Sequence, residues 1–219
     1  RPEDPVPAVM PAREMPLHRG LGVAVGPDHM PYVADNQAHR IWRIPPDGMA
    51  EVVAGLASGR NGGYGEDGPA QTAALRLPFG LAFGPDGDLY VTETGNQVVR
   101  RISGLAGPSP TIAHVAGLSL LELVARRAAG EIVDTDGMPA KEAPLYGPGS
   151  IAFDPQGNMY VAELGNAEIY ALLPTFGVSA LRVGARIRRI ASTPSTPGIW
   201  RSIRTRSGAS SAAYMPAVP

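Results

Sequence analysis

The sequence predicts an all-β fold: a partial β-propeller of about three four-stranded antiparallel blades, with short helical insertions between blades and an irregular C-terminal tail. The first observation behind it is a recurring hairpin at residues 22–35, 80–93 and 150–163. Each copy reads apolar strand, proline-containing turn, second apolar strand, acid, which is the pattern of two short antiparallel strands around a tight turn. The second observation is a Pro-Ala-x-x-x-x-Leu element ahead of each hairpin, at residues 11–17, 69–75 and 139–145. The third is register. The proline of that element stands 21 residues before the hairpin tyrosine in all three units, which places Tyr32, Tyr90 and Tyr160 in equivalent positions.

The elements follow in order within each unit. The proline element reads as a short helical turn with proline at its first position. The hairpin follows; Asp86-Gly87 and Gln156-Gly157 supply the positive φ that its turn requires. A third strand is marked by Ile41 and Ile44, by Val99 and Ile102, and by Ile169 and Leu172. A fourth lies at 50–55 and 111–117, with a degenerate version at 179–184. The second unit is 12 residues longer than the first, and 119–130 accounts for the difference. There Ser119 and Glu122 form a capping box, Leu120, Leu121, Leu123 and Val124 an apolar face, and Gly130 a stop signal. The resulting division is 1–10 as an N-terminal linker, 11–191 as blades, and 192–219 as a Pro/Ser/Arg-rich linker or disordered tail. Residues 187–190 could add one more strand.

Composition narrows the function. The 219 residues are 44% apolar, with 27 Gly and 23 Pro, a globular composition rich in turns. The absence of cysteine excludes disulfides, thiolate zinc sites, cysteine nucleophiles and Fe–S clusters. No apolar run approaches the length of a membrane-spanning helix. Neither a nucleophile elbow, nor a phosphate-binding loop, nor a dinucleotide fingerprint occurs. The net charge of −1 conceals an asymmetry: all 20 acids lie before residue 171, and seven arginines lie after it.

The stretch from Gly65-Glu-Asp-Gly-Pro-Ala70 through Ile102 resembles the NHL-repeat family of β-propellers, in its long bacterial-type repeat. The resemblance extends over about residues 11–175. It implies blades of a propeller whose members usually carry six. His39 matches the repeat's histidine, whereas Gln97 and Ala167 replace it in the later units. Three blades do not close a ring, and the chain begins inside a repeat. The expectation is therefore missing partner blades and a chain that is not a stable isolated monomer. A protein partner or a second copy would complete the propeller, the larger assembly being favoured over the symmetric pair.

Candidate binding residues are few. Asp35, Glu93 and Glu163 form a series of acids at one strand end. Oxygen ligands there could hold Ca²⁺; hydrogen bonding within turns is the favoured account, and no cofactor is expected. Arg186, Arg188 and Arg189 could meet acidic surfaces, with nucleic acid an unlikely partner. His18, His29, His39 and His114 occupy four different repeat phases and should not converge on a metal. The tyrosines are expected to pack between blades. The favoured function is a non-catalytic binding or scaffold module, extracellular or periplasmic. The alternatives are a metal-dependent lyase or lactonase-like hydrolase of the six-bladed propeller type, and nucleic-acid binding through the Arg-rich region.

Overall fold

The computed structural model describes residues 5–59, 67–118, 120–130, 139–165, 169–173, 177–181, 200–204 and 210–214. Among these, the strands form three blades and one separate hairpin. Blade 1 contains β1 (Val9–Pro11), β2 (Gly20–Val25), β3 (Pro31–Asp35), β4 (Arg40–Arg43) and β5 (Met49–Ala54), in the order β1-β5-β4-β3-β2. Blade 2 repeats this with β6 (Gly68–Pro69), β7 (Pro78–Phe83), β8 (Leu89–Glu93), β9 (Val98–Ser103) and β10 (Thr111–Ala116). Blade 3 has β11 (Pro148–Phe153), β12 (Met159–Glu163), β13 (Ile169–Leu173) and β14 (Gly177–Leu181). The blades do not close into a ring.

Two elements differ from the sequence expectation. The prolines of the repeated element, Pro11, Pro69 and Pro139, cap 3-10 turns at Ala12–Glu14, Ala70–Thr72 and Ala140–Glu142 instead of opening them. With ψ of 128°, 126° and 141° they remain extended, and in blades 1 and 2 they finish a short fifth strand. Residues 9 and 10, read as linker, therefore pair with β5. The other departure lies in 192–219: β15 (Trp200–Arg204) and β16 (Ser210–Tyr214) pair antiparallel there. Trp, Ile and Tyr favour extended pairing, and the segment contains all three. Residues 187–190 lie outside the described residues.

Turn chemistry holds the hairpins. Gly26 N–H donates to Met30 O at 2.9 Å, and Gly84 N–H to Asp88 O at 2.9 Å. The positive-φ position is Gly87 at 79° and Gly157 at 82°, but His29 at 60° in blade 1. Helix α1 (Leu120–Ala128) buries Leu123, while Leu121 and Val124, expected on the packed face, are exposed. Leu121 and Val124 are three residues apart and share one side of the helix, so a single turn-face carries Leu123 inward. Gly130 ends the segment at φ 71°.

The core lies between blades. One cluster joins Tyr32, Ala34 and Ile41 of blade 1 to Leu75, Leu81, Leu89 and Ile102 around blade 2. A second joins Val99 to Leu145, Ile151, Val161 and Tyr170. A third, around Trp42 and Val52, is covered by Val6, Met10, Ala12 and Met15. Inner strand β2 packs on β7, and β7 on β11.

Candidate binding surface

Alternation decides which side chains face which neighbour. On β7, Leu81 and Phe83 point back towards blade 1, where they join its core. On β11, Ile151 and Phe153 point back towards blade 2. Two of the three second-strand tyrosines, Tyr32 and Tyr90, meet them between blades. Tyr32 lies edge-on to Phe83 with ring centroids 5.0 Å apart, and Tyr90 edge-on to Phe153 at 4.8 Å. Each hydroxyl donates to a turn aspartate: Tyr32 to Asp28 at 2.8 Å, Tyr90 to Asp86 at 2.8 Å, Tyr160 to Asp154 at 2.9 Å. Burial, with the hydrogen bond to the aspartate, pushes Tyr32 and Tyr90 up to about 12.

The acids at the strand ends are buried and tie down the incoming chain. Asp35 accepts from the backbone N–H of His18 at 3.1 Å and of Arg19 at 3.0 Å. Glu93 accepts from Arg76 N–H at 2.7 Å, Asn96 Nδ2 at 2.7 Å and Arg100 Nη1 at 3.3 Å. Glu163 accepts from Tyr146 N–H at 2.5 Å. Burial pushes the Glu93 carboxyl above its ordinary range, and Arg100 and the N–H donors pull against it. No group of three or more His, Asp or Glu among the described residues is placed to hold a metal, so Asp35, Glu93 and Glu163 are not gathered into one ligand set. Arg186, Arg188 and Arg189 lie outside the described residues.

Two of the histidine rings serve the backbone. His39 Nδ1 accepts from Leu77 N–H at 3.0 Å. His114 Nε2 lies 3.0 Å from Ala116 O and 2.7 Å from Gly117 O, and burial lowers its pKa. His18 Nδ1 stands 3.7 Å from Asp35. A cleft of about 230 Å³ opens between Tyr32, Phe83, Asp88 and Leu105. It is smaller than the ~300–1,000 Å³ of small-molecule sites.

The surface that stands out is the incoming face of blade 1. Leu75 and Leu145 are fully buried, and Leu81 and Ile151 are 7% and 9% exposed. Their counterparts in blade 1, Leu17 and Val23, are 46% and 65% exposed, and Val25, the counterpart of Phe83, is 64% exposed. The same apolar positions recur in all three units, and among the described residues only those of blades 2 and 3 pack against another blade.

Residues 69–173 match the family model described as the teneurin NHL domain. Teneurin-m of Drosophila melanogaster is 27% identical over 173 residues, which cover 77% of this chain and 6% of that protein. The chain thus spans under a tenth of that relative's length. Among solved structures, a putative gluconolactonase superposes with a TM-score of 0.52 at 13% identity, over 97% of this chain and 68% of the other. Virginiamycin B lyase of Staphylococcus aureus superposes at 0.51 with 14% identity, over 94% and 58%. At these identities the two structures share the fold with this chain, and only the fold.

Proposed function

We propose, on the premise that the blades are those of a partial NHL-repeat β-propeller, that the chain is a non-catalytic binding module which mediates protein–protein interaction within a larger assembly. The observation that carries this is the exposed apolar face of blade 1, whose counterparts in blades 2 and 3 are buried by a neighbour. An apolar face rimmed by polar residues favours association with another protein over solvent. The site residues divide accordingly. Asp35, Glu93 and Glu163 position the chain at the strand ends, and Arg186, Arg188 and Arg189 are the proposed contacts to acidic surfaces of the partner. The proposed setting is extracellular or periplasmic, which cell fractionation checks.

Two measurements test the module. The purified chain should bind an apolar dye, and the double variant Val23→Asp, Val25→Asp should lose that binding while keeping its cooperative melt. A compact, cooperatively melting 22.8 kDa monomer that ignores both the dye and the substitutions overturns the proposal. Elemental analysis should find no stoichiometric zinc; one zinc per chain surviving dialysis against a weak chelator would overturn this and favour the lyase reading instead.

A further inference from the structure

We infer that the junction between blades 1 and 2 is an acid-sensitive clasp switched by His39, and that the junction between blades 2 and 3 is not. The clasp lies inside the chain, whatever the module binds. Each junction is closed at the strand ends by two hydrogen bonds to consecutive backbone groups at the start of the next inner strand. At the second junction, Gln97 Oε1 accepts from Gly147 N–H at 2.5 Å, and Thr94 Oγ1 donates to Pro148 O at 2.8 Å. At the first, His39 Nδ1 accepts from Leu77 N–H at 3.0 Å, and Asn36 Nδ2 donates to Pro78 O at 3.0 Å. The two acceptors differ in kind. An amide oxygen accepts throughout the physiological pH range, whereas an imidazole nitrogen accepts only while it carries no proton. A backbone N–H can only donate, so Nδ1 is bare in the folded chain and the neutral ring holds its proton on Nε2.

Protonation places an N–H on Nδ1, where it faces the N–H of Leu77. His39 is 6% exposed, so solvent is poorly placed to supply new acceptors, and two donors are left opposed. The bond contributes in full above the ordinary histidine value, about pH 6.5, and is lost as the ring takes up a proton below it. The backbone adds a second weakness. Leu77 and Gly147 both stand at positive φ, 51° and 66°. Glycine takes this conformation freely and leucine does not. The first junction therefore holds a disfavoured backbone partly through the bond that acid removes, and the second has neither fault. The ionisable groups around the clasp are Asp35 and Arg40 in blade 1, with His18 3.7 Å from Asp35, and Arg76, Glu93 and Arg100 in blade 2. The turn Ala70–Thr72, bonded to Gly55, carries no charge. Burial raises the Glu93 carboxyl, which makes it the rival for any acid response here.

An exchange of acceptors between the junctions separates these groups. Amide hydrogen exchange of the full chain, resolved by NMR, would compare Leu77 with Gly147 at about pH 7.5 and about pH 5. With intrinsic exchange rates divided out, Leu77 should lose at least about tenfold in protection on acidification, and Gly147 less than about twofold. His39→Gln installs the acceptor of the second junction on a matching backbone, φ 55° against 63°, and should keep Leu77 equally protected at both pH values. Gln97→His should do the reverse and make Gly147 acid-sensitive. An equal response of the two amides in the wild-type chain would overturn the inference. So would a loss at Leu77 that persists in His39→Gln, which would assign the response to Glu93 or His18. If His39→Gln fails to fold, Gln97→His decides: a Gly147 amide that stays protected in acid overturns the switch.

Discussion

Replacing Tyr32 by alanine should cost about 3–5 kcal/mol, the range for truncating a buried aromatic. Tyr32 is fully buried between blades 1 and 2. Its ring is held edge-on to Phe83, a geometry that contributes ~0.5–1.5 kcal/mol beyond the area buried. Tyr32→Phe isolates the hydroxyl. It keeps the ring and removes the bond to Asp28, whose carboxylate remains exposed to water, together with the hydroxyl's interaction with Arg43, so it should cost about 1–2 kcal/mol. Tyr90→Ala should fall towards the lower end, about 3 kcal/mol, because that residue is only partly buried. Urea titrations followed by far-UV circular dichroism, with slopes compared to confirm an unchanged unfolding transition, give all three values. The Tyr32/Phe83 double-mutant cycle should return a coupling of about 1 kcal/mol. A Tyr32→Ala protein as stable as wild type, or a coupling near zero, would refute the inter-blade role of the tyrosines.

His29→Gly should stabilise the chain by about 0.5–1 kcal/mol, since Gly87 and Gly157 take the same positive-φ position without a side chain; thermal melts check it. Gly80→Ala should destabilise by at least ~1–3 kcal/mol, the cost of overpacking, because its Cβ would sit 2.4 Å from Gly149 O. A wild-type melting temperature would show that the strands are further apart. Burial lowers the His114 pKa below its ordinary 6.5, so the unfolded chain takes up the proton first as pH falls. The stability His114 contributes is therefore complete above about pH 6.5 and is lost as pH drops from there through the folded value. Stability measured across that window should flatten in His114→Gln.

The blades were legible because their information is periodic. A tyrosine that recurs at constant register can be placed without knowing its contacts. What stayed hidden was exchange between positions. Blades 1 and 2 carry the tyrosine-binding carboxylate two residues after a glycine, as Gly26-Pro27-Asp28 and Gly84-Pro85-Asp86. Blade 3 reads Asp154-Pro155-Gln156, yet the Tyr160 hydroxyl still finds its carboxylate, now from Asp154. A side chain at Gly26 or Gly84 would have met the aspartate oxygen within 2.5 Å, so the two positions trade roles. The fifth strands escaped notice because two or three residues ending in proline show no alternation. The acids Asp35, Glu93 and Glu163 stand at the strand ends in repeat register, and each accepts from backbone N–H groups, which every residue but proline carries and no sequence pattern displays.

Those carboxylates also bear on the order in which the chain folds. The bonds they accept from the backbone ahead of each inner strand span 16 or 17 residues, within one blade. The bonds that lock blade to blade span 42 residues from Asn36 to Pro78 and 54 from Thr94 to Pro148. Loop closure costs more as the loop lengthens, and short-range contacts form sooner. A ribosome releasing this chain would therefore emit finished hairpins, each pinned at its strand end before the next blade exists to cover it. Every nascent blade then passes through a stage in which its outgoing face is bare. Blade 1 differs from its successors in that residues 6–15, which leave the ribosome before its strands, lie ready to cover its outer half at Trp42 as it forms.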